Sequence, residues 1–339
     1  MAWPPIPQTL VSSSFPVNFG YTYLQVSNTQ SVATPTNFQQ YIQLPPQLSL
    51  NTWPLRFYAD PALTQPLYAW YETPTTVWVL LPNGIPANSS INIYFNVDEP
   101  DGVYTGMAPY LSSTYGALDN GANVFNNYWN FAGTSAPSGI NVYSSTGSVT
   151  FNNGVTIKGG TTKNGGENGI ATSASFSAPI IVDYYGTQST SPSGETWGWN
   201  MVGFSNYLSS SNATPGAGGT HTIIDFEASP GGKPTPTPNA QPLTNQGGTV
   251  TGGTLSTPSS NLFPNSVWTH IYTSSTYYTY QNYVNSTGYI TGASNTASLP
   301  FEIEVGNNEG SYVPNGMTVY WLRTHAYPPN GVQPSVSFV

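Results

Sequence analysis

The 339 residues predict an all-β protein built as two β-sandwich, jelly-roll-like domains in tandem. Three observations carry that expectation. Only 6% of residues are charged, so the Glu, Lys and Arg that normally dress helix surfaces are scarce. Aromatic residues reach 14%, with 24 Tyr and 9 Trp, which separates the chain from disordered sequences and supplies strand formers. Gly (34) and Pro (31) punctuate the chain and suit turns between short strands. At roughly 150 residues per domain, the length fits two domains with a core in each.

Residues 17–27 (VNFGYTYLQVS) alternate with a period near two, and 38–44 (FQQYIQL) continue with strand formers up to a Pro-Pro stop. Strands follow at 55–59, 66–72, 76–81 and 90–97, separated by the turn signals Asp60-Pro61, Pro82-Asn83-Gly84 and Asp101-Gly102. The pattern loosens over 103–131 and resumes at 140–143, 148–151 and 155–158. A boundary near Ser112 follows, with an N-terminal sandwich over 1–111 and a jelly roll over 112–339. Strand runs at 171–176, 180–185, 197–204, 220–226, 267–273, 276–283, 301–305 and 318–325 are enough for two packed sheets. Between them, 228–253 is rich in Pro, Gly and Thr and is expected to project as a loop or extended arm.

Charge and composition exclude several classes. The five basic residues, Arg56, Lys158, Lys163, Lys233 and Arg323, are scattered in a chain of net charge -9, which cannot neutralise a run of phosphates, so nucleic acid is not expected as a partner. No run of 18 apolar residues is present, so no membrane span is expected, and the start, Met1-Ala2-Trp3-Pro4-Pro5, lacks the regions of a signal peptide. Without Cys there is no disulfide, thiolate metal site or thiol nucleophile. A surface of Ser, Thr, Asn, Gln and Tyr keeps its hydration as pH falls, which suits a molecule living in acid, or equally a secreted or assembled β-protein that merely avoids charge.

Three passages, LRFY at 55–58 followed by LYAWYE at 67–72, TVWV at 76–79 and IPANSSINIYF at 85–95, together resemble an uncharacterised family of small β-sandwich domains in archaeal and bacterial surface proteins. The segments YGALDNGANVF at 115–125 and FAGT at 131–134 are similar to those joining that domain to a concanavalin- or laminin-G-like jelly roll, and VYWLR at 319–323 resembles its closing strand. The resemblance implies a fold and a habitat on cell surfaces, appendages and archaeal virus particles. It brings no catalytic residues.

Candidate chemistry is sparse. Asp98, Glu99 and Asp101 form the densest acidic turn and supply hard oxygen ligands of the kind calcium takes, so Ca²⁺ is the one cofactor the pattern admits; a solvated acidic turn is the plainer reading. Glu302 and Glu304 share one face of an expected strand at a spacing near that of glycosidase carboxylates, or lie there as two solvent-facing acids. His221, His270 and His325 are too widely spaced for zinc. Trp197, Trp199, Tyr277 and Tyr280 are candidate sugar platforms, set against the ordinary role of strand aromatics as core. Sequons at Asn88, Asn212 and Asn285 offer glycosylation sites.

The leading expectation is a non-enzymatic structural protein, a capsid-surface, turret or spike component of an archaeal virus acting in assembly and host attachment. Its partners would be copies of itself, other capsid or surface subunits, and a glycan or protein of the host surface. The alternative is a cell-surface adhesin or pilus-like subunit with glycan binding, its arms 1–15 and 333–339 pairing with a neighbour's sheet edge. The third is an acid-active hydrolase using Glu302 and Glu304.

Overall fold

The computed structural model describes residues 23–50, 54–98, 101–109, 118–160, 165–187, 198–206, 208, 221–228, 238–246, 249–252, 265–291, 297–307 and 316–339. The regular structure of the described residues is almost wholly strand, arranged as two β-sandwiches in tandem.

The first sandwich stacks two sheets. One contains β1 (Tyr23–Asn28), β3 (Leu55–Tyr58), β4 (Pro66–Leu67) and β7 (Ser89–Val97); the other contains β2 (Phe38–Gln43), β5 (Ala69–Thr73), β6 (Thr76–Leu81) and β8 (Thr105–Met107). Alternation decides which side chains meet between them: Leu24 and Val26 of β1, Phe57 of β3 and Val77 and Val79 of β6 all enter one buried cluster. The Pro82-Asn83-Gly84 turn falls where expected. Gly84 has a φ of +63°, and a Cβ there would meet the Pro35 carbonyl oxygen at 2.4 Å, so only glycine fits.

The jelly roll stacks a seven-stranded and an eight-stranded sheet. The former runs β10 (Ile140–Tyr143), β13 (Gly165–Phe176), β22 (Leu299–Asn307), β15 (Gly198–Ser205), β16 (His221–Ala228), β17 (Pro238–Gln246), β18 (Thr249–Gly252). The latter runs β11 (Ser148–Phe151), β12 (Val155–Lys158), β23 (Gly316–His325), β14 (Ile180–Gly186), β19 (Ser266–Tyr272), β20 (Thr276–Gln281), β21 (Val284–Thr291), with β9 (Asn127–Asn130) added on β23. Ile303 and Val305 of β22, Val202 and Phe204 of β15 and Val182 and Tyr184 of β14 fill the space between. A four-residue helix, α1 (Gly121–Val124), precedes β9.

Two sequence expectations are corrected. Residues 228–253 are not one projecting loop, because β17 and β18 lie inside that stretch and extend the seven-stranded sheet from β16. Pro238 and Pro242 are tolerated in β17 because β18 pairs only with 243–246, so both prolines sit where β17 has a neighbour on one side only. The C-terminal segment does not reach for a neighbour's edge either. Its strand β24 (Ser335–Phe338) pairs with β1 of the same chain, Val336 opposite Val26 and Phe338 opposite Leu24. The N-terminal arm 1–15 lies outside the described residues.

The two sandwiches meet through a third core of Trp70, Trp78, Val124, Phe125, Val267 and Trp321. At its centre the Arg323 guanidinium lies 4.4 Å from the Trp78 ring centroid, 4.5 Å from Phe125 and 4.6 Å from Trp321. Arg323 bonds Asp183 on its own domain (Nη2 to Oδ2, 2.8 Å) and Glu72 on the other (Nη2 to Oε2, 2.7 Å).

Candidate active site

Strand β22 alternates strictly. Phe301, Ile303 and Val305 face the jelly-roll core, so Glu302 and Glu304 stand on the opposite face of the sheet. Both glutamates are nonetheless only 2% exposed. Part of their cover is Leu208, whose backbone N–H donates to Glu302 Oε2 at 3.2 Å. Leu208 also reaches over β13 so closely that a Cβ on Gly169 would meet its Cδ1 at 2.9 Å. Tyr143 lies near enough for the Glu302 charge to push its hydroxyl pKa up, after burial, which is the larger cause.

Pairing extends this acidic patch across the sheet. Glu304 stands opposite Met201 of β15, and Met201 stands opposite Asp225 of β16, so the two acids occupy one register row about 10 Å apart at two strand spacings. In the next rows Glu302 stands opposite Gly203, and Trp199 stands between Gly306 and Glu227. Glu302 and Glu304 are one alternation apart along β22, a Cα separation of about 6.6 Å. Residue types in this row can hold and transfer protons and stabilise developing positive charge on a sugar ring. Asp225 and Glu227 were not singled out from sequence, although the acid-x-acid spacing of Asp225-Phe226-Glu227 is the same signal that marked Glu302 and Glu304.

The other expected sites fare differently. Arg56 bonds both Asp98 (3.0 Å) and Asp101 (2.7 Å), while Asp101 Oδ1 also accepts the backbone N–H groups of Val103 and Tyr104, so the acidic turn is tied up by its own neighbours; Glu99 lies outside the described residues. No group of three or more metal-ligating side chains occurs among the described residues. Tyr277 is no sugar platform: it is wholly enclosed between the sheets, its hydroxyl 2.6 Å from His270 Nδ1, because odd positions of β20 face the core. Tyr280, one face over, is half-buried. Trp197 lies outside the described residues, and Trp199 is placed only by its register in β15. Asn88 is exposed in a turn with φ +47°, Asn285 belongs to β21, and Asn212 is outside the described residues.

Comparisons with known proteins complete the picture. No family model matches the chain. A 122-residue stretch, 32% of the chain, is 42% identical to uncharacterized protein 562 of Sulfolobus islandicus rod-shaped virus 1, and covers 21% of that viral protein. The chain therefore spans about a fifth of the relative's length. Among solved structures it is similar to a β-glucanase of Bacillus licheniformis (TM-score 0.43, 10% identity, 59% of this chain and 97% of the other). It is also similar to an endo-β-1,3-glucanase of Pyrococcus furiosus (TM-score 0.40, 12% identity, 60% and 94%) and to a laminarinase catalytic domain of Thermotoga petrophila (TM-score 0.39, 10% identity, 59% and 96%). At these identities and TM-scores the likeness assigns no activity to this chain. Against the expectation of a non-enzymatic capsid-surface component, these solved structures are a β-glucanase, an endo-β-1,3-glucanase and the catalytic domain of a laminarinase. No helix among the described residues is long and apolar enough to cross a membrane.

Proposed function

We propose that the chain hydrolyses glycosidic bonds, with Glu302 and Glu304 as its carboxyl pair and Asp225 in the same row as a supporting acid. The observation that carries this reading is the burial of two acids, one alternation apart, between the core-facing Phe301, Ile303 and Val305 of the same strand. Burying charge is costly, and a fold keeps such a violation of local pattern where function needs it. A spacing of this order suits the two-carboxylate chemistry of glycoside cleavage, in which one acid protonates the leaving oxygen while the other meets the charge developing at the anomeric carbon. The viral relative supports a setting on or with a virus particle, where such an activity would act on the glycans of a host surface.

The test is an assay of the full chain on neutral polysaccharides (β-1,3-glucan, mixed-linkage β-glucan, α-1,4-glucan and mannan) between pH 2 and pH 7, reading new reducing ends. Glu302→Gln and Glu304→Gln should each lower the rate by about a thousandfold or more, with an unchanged melting profile. Activity that survives both substitutions, or a wild-type chain inert on glycans extracted from the host envelope as well as on this panel, would overturn the assignment.

A further inference from the structure

A cavity of about 240 Å³ opens on the opposite side of the jelly roll from the glutamates, at the seam between the two sandwiches. Tyr41 and Trp78 come to it from the first sandwich, and Tyr280, Tyr283 and His325 from the jelly roll, with Gln333 at the rim. Strands of both sandwiches thus build the site, and its shape is fixed by the same packing that joins them. The Glu302 and Glu304 chemistry uses none of these residues.

The lining states what fits. Its walls are aromatic faces with Ile181 and Ile271 beside them, while its polar side chains are tyrosines, Thr269, His325 and the Gln333 amide. That combination matches a ring with apolar faces and hydroxyl edges. The charges beneath are already engaged. The Tyr283 hydroxyl donates to Glu72 Oε2 at 2.6 Å and accepts from Arg323 Nη2 at 2.9 Å, and Arg323 holds Asp183. The Trp78 ring is occupied by Arg323 at 4.4 Å and by His325 at 4.8 Å, so it is not a free face for a cationic ligand. His325 is 3% exposed; its Nε2 lies 3.2 Å from Asp183, and its Nδ1 has no partner among the described residues. A cavity of this size has room for one six-membered sugar ring.

We propose that this seam is a binding site for a single neutral pyranose residue, such as the end of a surface glycan, separate from the acidic row of β22. Tyr280 supplies a flat face and Gln333 a hydroxyl partner at the mouth. The site does not depend on the hydrolytic reading, and a chain without hydrolase activity would still bind here.

Saturation-transfer NMR on the full chain, with the methyl glycosides of glucose, galactose, mannose and N-acetylglucosamine, tests the idea; choline and indole serve as cationic and purely apolar probes. At least one glycoside should bind, and Tyr280→Ala should weaken it about tenfold or more by removing the stacking face. Gln333→Ala, at an exposed position that leaves the fold intact, should weaken it less but measurably, and the doubly substituted Glu302→Gln, Glu304→Gln chain should bind as the wild type does. Binding of choline or indole with no glycoside bound, glycoside binding insensitive to both pocket variants, or no binding at all would each overturn the proposal. Glycoside binding lost in the glutamate variant would also overturn it, because the sugar would then sit at the acidic row.

Discussion

His270 lies between the jelly-roll sheets with Nδ1 2.6 Å from the Tyr277 hydroxyl, and burial holds its pKa down at about 3. The folded chain therefore keeps a neutral imidazole over a range in which the unfolded chain, titrating near pH 6.5, takes up a proton. A lowered pKa on a base means that stability is lost as pH falls from about 6.5 towards 3, by on the order of several kcal/mol in all. Asp183 behaves differently: burial alone would raise its pKa, but Arg323 and His325 beside it hold the carboxyl well below the usual range, so its contribution is kept above about pH 4 and erodes only in stronger acid. The surface of neutral polar groups avoids acid titration, yet the core does not. His270→Phe should flatten the dependence of melting temperature on pH between 6.5 and 3 relative to wild type. Parallel profiles for the two chains would show that the imidazole is not the acid-sensitive group. None of this was legible in sequence, where His270 is one of three widely spaced histidines with no mark of its enclosure.

At the scale of elements, strands with a clear local apolar pattern were legible and those that depend on a distant partner were not. The runs at 38–44, 55–59, 76–81, 180–185 and 318–325 all match observed strands, some through an apolar face repeated every second residue and others, such as 76–81 and 180–185, as near-continuous apolar and aromatic runs. β9 and β17 were missed: Asn127-Tyr128-Trp129-Asn130 is too short to show a period, and β17 carries two prolines that argue locally against a strand. The last strand was expected only as part of an arm, 333–339, pairing with a neighbour's sheet edge, and the fold gives it β1 of the same chain as partner. There Val336 and Phe338 pack against the first core, and Val339 exchanges hydrogen bonds with Tyr23 at 3.0 and 3.3 Å. Truncation after Gln333 should cost about 2–4 kcal/mol from the two lost apolar side chains and would leave β1 as a bare sheet edge. Urea unfolding measures the first effect, and light scattering the self-association expected of the second. Unchanged stability and a monodisperse truncated chain would mean that the strand contributes nothing to the first sandwich.

Over the whole molecule, the seam decides whether two sandwiches behave as one protein. The acidic row at Glu302 and Glu304 was half legible, since the two glutamates stand out on β22 while their neighbours Met201 and Asp225 come from strands some 80 to 100 residues earlier and meet them only through sheet order. The seam was less legible still. Glu72, Asp183 and Arg323 are separated by 251 and 140 residues of sequence from one another's partners, and nothing in their local context marks them as one buried cluster. Arg323 is fully enclosed, so its charge is balanced only by a carboxylate from each sandwich, and separating the domains would leave a cation and two anions to find water. Wild-type chain should then melt in one cooperative transition despite its two hydrophobic cores. Arg323→Met strips the compensation from Glu72 and Asp183 and should cost about 3–5 kcal/mol, as breaking a buried pair does. Because the loss falls on the contact between the sandwiches and not inside either, calorimetry of the variant should resolve two transitions where the wild type shows one. Adding Glu72→Gln and Asp183→Asn to Arg323→Met removes the stranded charges and should recover much of the stability. A variant that loses stability yet still melts in a single step would place the coupling in the aromatic contacts of Trp70, Trp78, Phe125 and Trp321 and not in the ion cluster.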